Sequence, residues 1–312
     1  MRKIILLCTS LFAMVLLTSA SPVLAQNVLW VSNTGNDANT CGATAPCASF
    51  QGAINKGNVV QINCLTSGTY GAVTITASIT IDCGTGNIGD VNVFSGNAIT
   101  INTGSTATIV LRHLNVNGLG TNSSEVGIDA GDSSSFFGGT LIVEDCMIHG
   151  FHNGFGIAFL PTGGRGFLQV SNSQIFDNIG GIAVQPSSGQ IASVTLNRVE
   201  VVGNTATGVG FSGAGVVAGT MRDSVVGENG SLGIVAQASQ VFFTVEESSI
   251  VNNLSVGIQT ASAGSAVKVG SSTIGGNGTG VLASSGSIVS FGDNHVSDNG
   301  SDGNFTSTTA LK

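Results

Sequence analysis

The residues of this chain that could do chemistry are few, and they fall at one recurring place. Asp, Glu, Lys and Arg make up 8% of the sequence, against roughly 25% in ordinary globular domains. Asp145, Asp223 and Glu247 are hard-oxygen donors of the kind that hold Ca²⁺. Arg198 and Arg222 sit in the same recurring corner and would carry the basic role beside a bound ligand. A run of Cys146, His149 and His152, spaced three apart, has the residue types of a Zn²⁺ site. Against that site, Cys146 falls at an inward position, and a lone Cys with two loop histidines is more often structural. His113 faces Asp145 of the following coil, an acid–base contact without a nucleophile of recognisable context. For the corner charges the plain alternative is a solvated edge. Arg198 then sits one coil from Asp223 and Arg222 one coil from Glu246, each pair worth about 0–1 kcal/mol.

What positions these residues is a repeat over residues 171–299. Each copy has an apolar residue, a short polar stretch, Asn, and then Gly followed by Ile or Val. The asparagines stand at 178, 204, 229, 253, 277 and 299, separated by 26, 25, 24, 24 and 22 residues. Such a period without helical pattern marks a solenoid with one coil per repeat. With each Asn as position zero, position −3 is Ile or Val throughout, from Ile175 to Val296. Positions −8 and −10 are also apolar except Gly219, and end in Phe291 and Val289. Position −5 keeps inward parity but holds mostly Ser, which must then find hydrogen bonds inside. Parity breaks between −8 and −5, so positions −7 and −6 both point outward, as a corner between two strands requires. The corner pairs run Arg112-His113, Glu144-Asp145, Ser171-Asn172, Asn197-Arg198, Arg222-Asp223, Glu246-Glu247, Gly270-Ser271 and Gly292-Asp293. They hold half of the charge between Arg112 and Asn299. An inward Asn at every coil reads as a structural amide ladder, because stacked strands lie about 4.8 Å apart. The Gly before Ile or Val is expected to supply a positive φ at that bend.

The ends and composition bound the rest. Residues 1–25 read as a secretory signal peptide: Arg2 and Lys3, an apolar run, then small residues to Ala25. No later stretch is long and apolar enough to span a membrane. A formal charge of −8 argues against a nucleic-acid partner. Export permits disulfides. Cys41 and Cys47 flank a short loop and are the best pair; Cys64 and Cys83, 19 apart, could meet on stacked strands. Cys146 is left over, a small buried residue. A first strand is expected at residues 28–31 and an amphipathic helix over 48–56, capping the mouth of the solenoid. The coils span 59–300, with a mobile tail over 301–312 on which Phe305 can fold back. Segments 159–166 and 185–190 interrupt the period.

The stretch Val31-Ser32-Asn33-Thr34-Gly35-Asn36-Asp37, with Cys41, Pro46-Cys47, Phe50, Ala53-Ile54 and the later Asn-Gly-Ile coils, resembles exported bacterial right-handed parallel β-helix proteins. These belong to the pectin-lyase-like superfamily, which includes pectate lyases, polygalacturonases, epimerases and phage tailspikes. The resemblance implies an all-β, single-domain parallel β-helix and covers nearly the whole chain after residue 25. Fold does not imply function. The polygalacturonase pattern of an Asp pair and a Gly-His-Asp segment is missing. A pectate-lyase-like reading makes Asp145, Asp223 and Glu247 the Ca²⁺ ligands and Arg198 or Arg222 the base. The reading favoured by the sequence is a non-catalytic protein, exported to the periplasm, cell surface or medium, and binding polysaccharide or serving adhesion. Its rival is a Ca²⁺-dependent polysaccharide lyase.

Overall fold

A computed structural model describes residues 27–309, apart from 85, 105, 122, 124 and 132–136. The expected leader lies outside the described residues. The chain coils into a parallel β-helix in which a typical turn holds three strands, such as Gly180–Val184, Ile191–Asn197 and Glu200–Val202. Each strand pairs in parallel with its counterparts one coil before and after: Val194 with Leu168 and Gly219, Val201 with Ile175 and Val226. Two of the three faces merge at their edges into a 20-stranded sheet, and the third is a separate 10-stranded sheet. Among the described residues no helix is long and apolar enough to cross a membrane.

Period-two alternation makes the core. Along Arg165–Ser171 the residues Gly166, Leu168 and Val170 are buried, while Arg165, Phe167 and Gln169 are exposed. Stacked coil on coil, these inward positions give continuous columns of Ile, Val, Leu and Phe. Strand burial on this scale contributes about 1.5–3 kcal/mol for each large apolar side chain.

The N-terminal cap is smaller than the 48–56 expected from its apolar face. The helix is Phe50–Ile54, with Ser49 as N-cap accepting from the Gly52 amide at 2.9 Å. Asp37 organises it by accepting from the Ser49 hydroxyl and from the Ala48 and Ser49 amides. Partial burial works to raise the Asp37 pKa, but those bonds and Lys56 hold the carboxyl below its ordinary value. Both expected disulfides form, Cys41–Cys47 and Cys64–Cys83. The second joins neighbouring coils, since Ile62 pairs with Ile81 just before it.

Three expectations need correcting. The glycines of the repeat, Gly181, Gly208, Gly233, Gly257 and Gly280, do not have positive φ. They are Gly because the coils touch there: a Cβ on Gly233 would lie 2.5 Å from the Gly257 carbonyl oxygen. Positive φ falls instead one residue before the Asn, at Asp177, Gly203, Glu228, Asn252, Gly276 and Asp298. The last coil is also one residue out of step. Ile288 and Ser290 face inward, paired with Val267 and Val269, rather than Val289 and Phe291. The extra residue is taken up at Gly292, φ 91°, and Phe291 turns out against Gly270. Finally, residues 301–309 are not a separate tail, and 310–312 lie outside the described residues. Ser301–Gly303 and Ser307–Thr308 pair with Thr279–Ser290, and Phe305 packs on the core.

Candidate functional site

Two of the three bends in each coil carry the recurring polar side chains. At the inner bend the asparagines form the expected ladder. Each side-chain amide donates to the next coil's Asn: 178 to 204 at 3.0 Å, 204 to 229 at 3.0 Å, 229 to 253 at 2.9 Å, 253 to 277 at 2.9 Å and 277 to 299 at 3.0 Å. Each Asn oxygen also accepts the backbone N–H of the preceding rung. In the coil before Asn178, buried Phe151 takes the position, its amide N–H donating to Asn178.

At the outer bend, position −6 is left-handed in coil after coil: His113, Asp145, Asn172, Arg198, Asp223, Glu247 and Ser271 have φ between 46° and 55°. Non-Gly residues adopt this conformation at a cost, Asn, Asp and His most readily. The inward serines behind it form a second ladder. Ser224 Oγ accepts the Val199 amide and donates to the Arg222 carbonyl, and Ser248 and Ser272 repeat the arrangement.

The outward side chains of the bend pair along the solenoid axis. Arg112 Nε lies 2.7 Å from Glu144 and Arg112 Nη1 4.0 Å from Asp82. His113 Nδ1 is 2.8 Å from Asp82, and its Nε2 is 3.8 Å from Asp145. Arg222 reaches Glu246 at 2.6 Å and Glu247 at 3.5 Å. The hydrogen bond and charge of Glu246, with Glu247 beside it, raise the Arg222 pKa further above its ordinary value. Arg198 does not turn to Asp223; its Nε donates to Asn172 Oδ1 at 2.6 Å, and among the described residues it makes no ion pair. Asp82 escaped the sequence reading. It occupies the same bend one coil before Arg112, where Asp82-Cys83 continues the series of corner pairs.

Asp145 and Asp223 share one bend column with Asn172 and Arg198 between them. That is three coils, about 14 Å. Ca²⁺ holds its oxygens at about 2.3–2.6 Å, so these two carboxylates do not reach one ion. Glu247, one coil further, lies against Arg222. Among the described residues, no three His, Cys, Asp or Glu side chains are grouped to hold a metal ion. Cys146, His149 and His152 also part company. The Cys146 thiol is buried, and burial pushes its pKa up to about 12. His149 points to the outer face, stacked on Phe176 with ring centres 4.7 Å apart and planes 4° from parallel. Its Nε2 lies 3.0 Å from Asn115 Oδ1, and burial lowers its pKa. His152 pairs with Asp177 at 3.0 Å.

What the bend does build is a crease. Positions −6 and −4 both point outward over the inward −5, so two rows of side chains flank a sunken floor. One hollow of about 420 Å³ has Asp145, Asn172 and Arg198 on one wall and Met147, Gln174 and Glu200 on the other. A second, about 350 Å³, continues past His113 to Asn87 and Ile88. The two share Asp145 and Met147 and so form one groove along the axis. Sequence reasoning found its charged wall through the corner pairs. It missed Met147 and Gln174, whose outward −4 position follows from the parity of Ile148 and Ile175.

Comparison with known proteins supports the architecture. A family model described as a right handed beta helix region matches residues 181–310. No curated protein sequence matches the chain. Among solved structures, pectate lyase Pel9A superposes with a TM-score of 0.67 at 16% identity, over 91% of this chain and 78% of that one. The A-module of the mannuronan C-5 epimerase AlgE4 from Azotobacter vinelandii gives 0.43 at 11% identity, over 81% and 91%. Tailspike protein 2 from Escherichia coli O157:H7 bacteriophage CAB120 gives 0.43 at 13%, over 77% and 39%. The coils, their register and the matched region make this chain a right-handed parallel β-helix of the pectin-lyase-like fold.

Proposed function

We propose that the protein is exported and binds a linear polysaccharide, without cleaving it, along the outer-bend groove. The observation that carries this reading is the continuity of the groove from Ile88 to Arg198. It crosses five coils, about 19 Å, a length suited to several units of a polymer rather than one small ligand. Its walls are amide and charged groups around Met147, and the Arg198 guanidinium is left without an ion pair among the described residues. The two disulfides suit an oxidising compartment. A pectate lyase with the same fold is in keeping with a polysaccharide as the polymer.

The test is affinity electrophoresis against a panel of neutral and acidic polysaccharides, with parallel incubation on polyuronates. Retardation by at least one polymer is expected, with no ultraviolet-absorbing unsaturated ends. Arg198→Ala should weaken retardation about tenfold, the size of one lost hydrogen bond to a charged group. Unsaturated ends that disappear on chelation would replace this reading with the Ca²⁺-dependent lyase.

A further inference from the structure

The broad sheet face that carries Arg165–Ser171 and its successors presents two exposed aromatic rings. Phe167 is 44% exposed and Phe242 55%. Both lie in one outward column, read up the axis as Phe167, Ser193, Ala218, Phe242, Ala266 and Ser287. The order has a property that single exposed rings lack. Reversed end for end about the midpoint between Ala218 and Phe242, it sets Phe167 opposite Ser287, Phe242 opposite Ala218, and Ser193 opposite Ala266. Each ring meets a small residue, and no ring meets a ring. The neighbouring outward column, Gln169, Thr195, Thr220, Thr244, Lys268 and Val289, then sets Thr220 opposite Thr244, Lys268 opposite Thr195 and Val289 opposite Gln169. At the corner edge of the face, Arg222 comes opposite Glu246.

We infer that this face is a self-association surface, and that its partner is a second copy of the chain. The two copies are related by a two-fold axis lying in the face, along the strands, midway between the coils of Ala218 and Phe242. A two-fold interface uses the same patch twice, so residue i meets j and j meets i. The reversed column satisfies that condition in size, and Arg222 with Glu246 satisfies it in charge. A two-fold axis parallel to the solenoid would instead set Phe167 on Phe167 and Phe242 on Phe242. The footprint is six coils high and seven residues wide, about 29 by 23 Å. That is about 1,300 Å² over both copies, within the range of specific interfaces. The outer-bend groove stays open beside it.

Light scattering with size-exclusion chromatography measures the expected doubling of mass as concentration rises from about 1 to 100 µM, a window that spans weak specific dimers. Ala218→Phe fills the space that the second copy's Phe242 takes, and should return the protein to monomer. General surface stickiness predicts the reverse, more association with an added ring. Arg222→Glu should weaken the dimer, and adding Glu246→Arg should restore it. Ser193→Cys protein mixed with Ala266→Cys protein should give a covalent dimer with a short bismaleimide, while either alone should not. A monomer throughout the concentration range overturns the inference. So does a dimer that Ala218→Phe leaves intact, or one cross-linked equally by the single cysteine proteins. If the exposed rings serve a glycan instead, the protein stays monomeric and Phe242→Ser weakens polysaccharide retardation.

Discussion

The outer and inner bends, two of the three in each coil, solve the same geometric problem with different chemistry. Both turn the chain through one left-handed residue, at position −6 outside and at −1 beside the Asn. At the inner bend the next residue is buried, and its side chain is bonded above and below. Only Asn supplies a donor and an acceptor of that reach, so the residue type is fixed from coil to coil. At the outer bend the left-handed side chain points to solvent, and its backbone is secured from behind by the Ser ladder. Nothing inside dictates its identity. The column therefore holds His, Asp, Asn, Arg, Glu and Ser in turn, and the groove takes its character from them. A solenoid can be rigid and still vary its surface because the ladder that stabilises each bend is separate from the side chains it displays.

Removing a rung should have the largest effect. Asn229→Ala removes the acceptor of the Asn204 amide and side chain, and the donor to Asn253 and to the Val201 carbonyl. Three or four buried groups lose partners at about 1–3 kcal/mol each, so chemical denaturation should show a loss of about 3–6 kcal/mol. A loss under 1 kcal/mol would mean the ladder is incidental, and the contrast between the bends would fail. Gly233→Ala should come next. Its Cβ would press on the Gly257 carbonyl oxygen and the Asn253 amide, for a loss of about 1–3 kcal/mol by overpacking.

At the outer bend the same measurement should give little. Arg222→Ala removes two exposed ion pairs and should leave the denaturation midpoint almost unchanged. A cost as large as that of Asn229→Ala would show that the corner is structural too. The smallest effect concerns pH on the strand between the bends. Burial lowers the His149 pKa, while an unfolded chain protonates near the ordinary value of about 6.5. Stability is then full above that pH and declines as pH falls through it toward the folded value. Thermal melts between pH 7.5 and 5 should show a decline that His149→Gln makes shallower; an unchanged slope would assign it to other groups.

Much of this was legible in the sequence because polar residues were forced to repeat. An Asn that must be buried at each coil announces a ladder, and the shift of parity between −8 and −5 announces the outer bend. The inner left-handed position was not legible, because Asp, Gly, Glu and Asn all occupy it. The slip in the last coil was hidden by Phe291, whose apolar side chain looks like a core residue though it lies over Gly270. The site was legible on one wall only. Charge marked Asp145 and Arg198, while Met147 and Gln174 carry no pattern of their own. The candidate metal ligands were chosen by residue type, and type says nothing about the rise of three coils from Asp145 to Asp223.

The amide ladder also carries an electrical direction. Every Asn from 178 to 277 points its N–H toward the C-terminal end and its oxygen toward the N-terminal end. The amide dipoles thus lie head to tail inside the solenoid, as peptide dipoles do in a helix, and each polarises the next. The row has a positive pole at its final rung. There Asn299 donates its amide hydrogen to the carboxylate of Asp302 at 2.9 Å. An anion closes the positive end of the ladder, as acidic side chains do at the start of a helix, and the row of neutral side chains finishes on a charge of opposite sign.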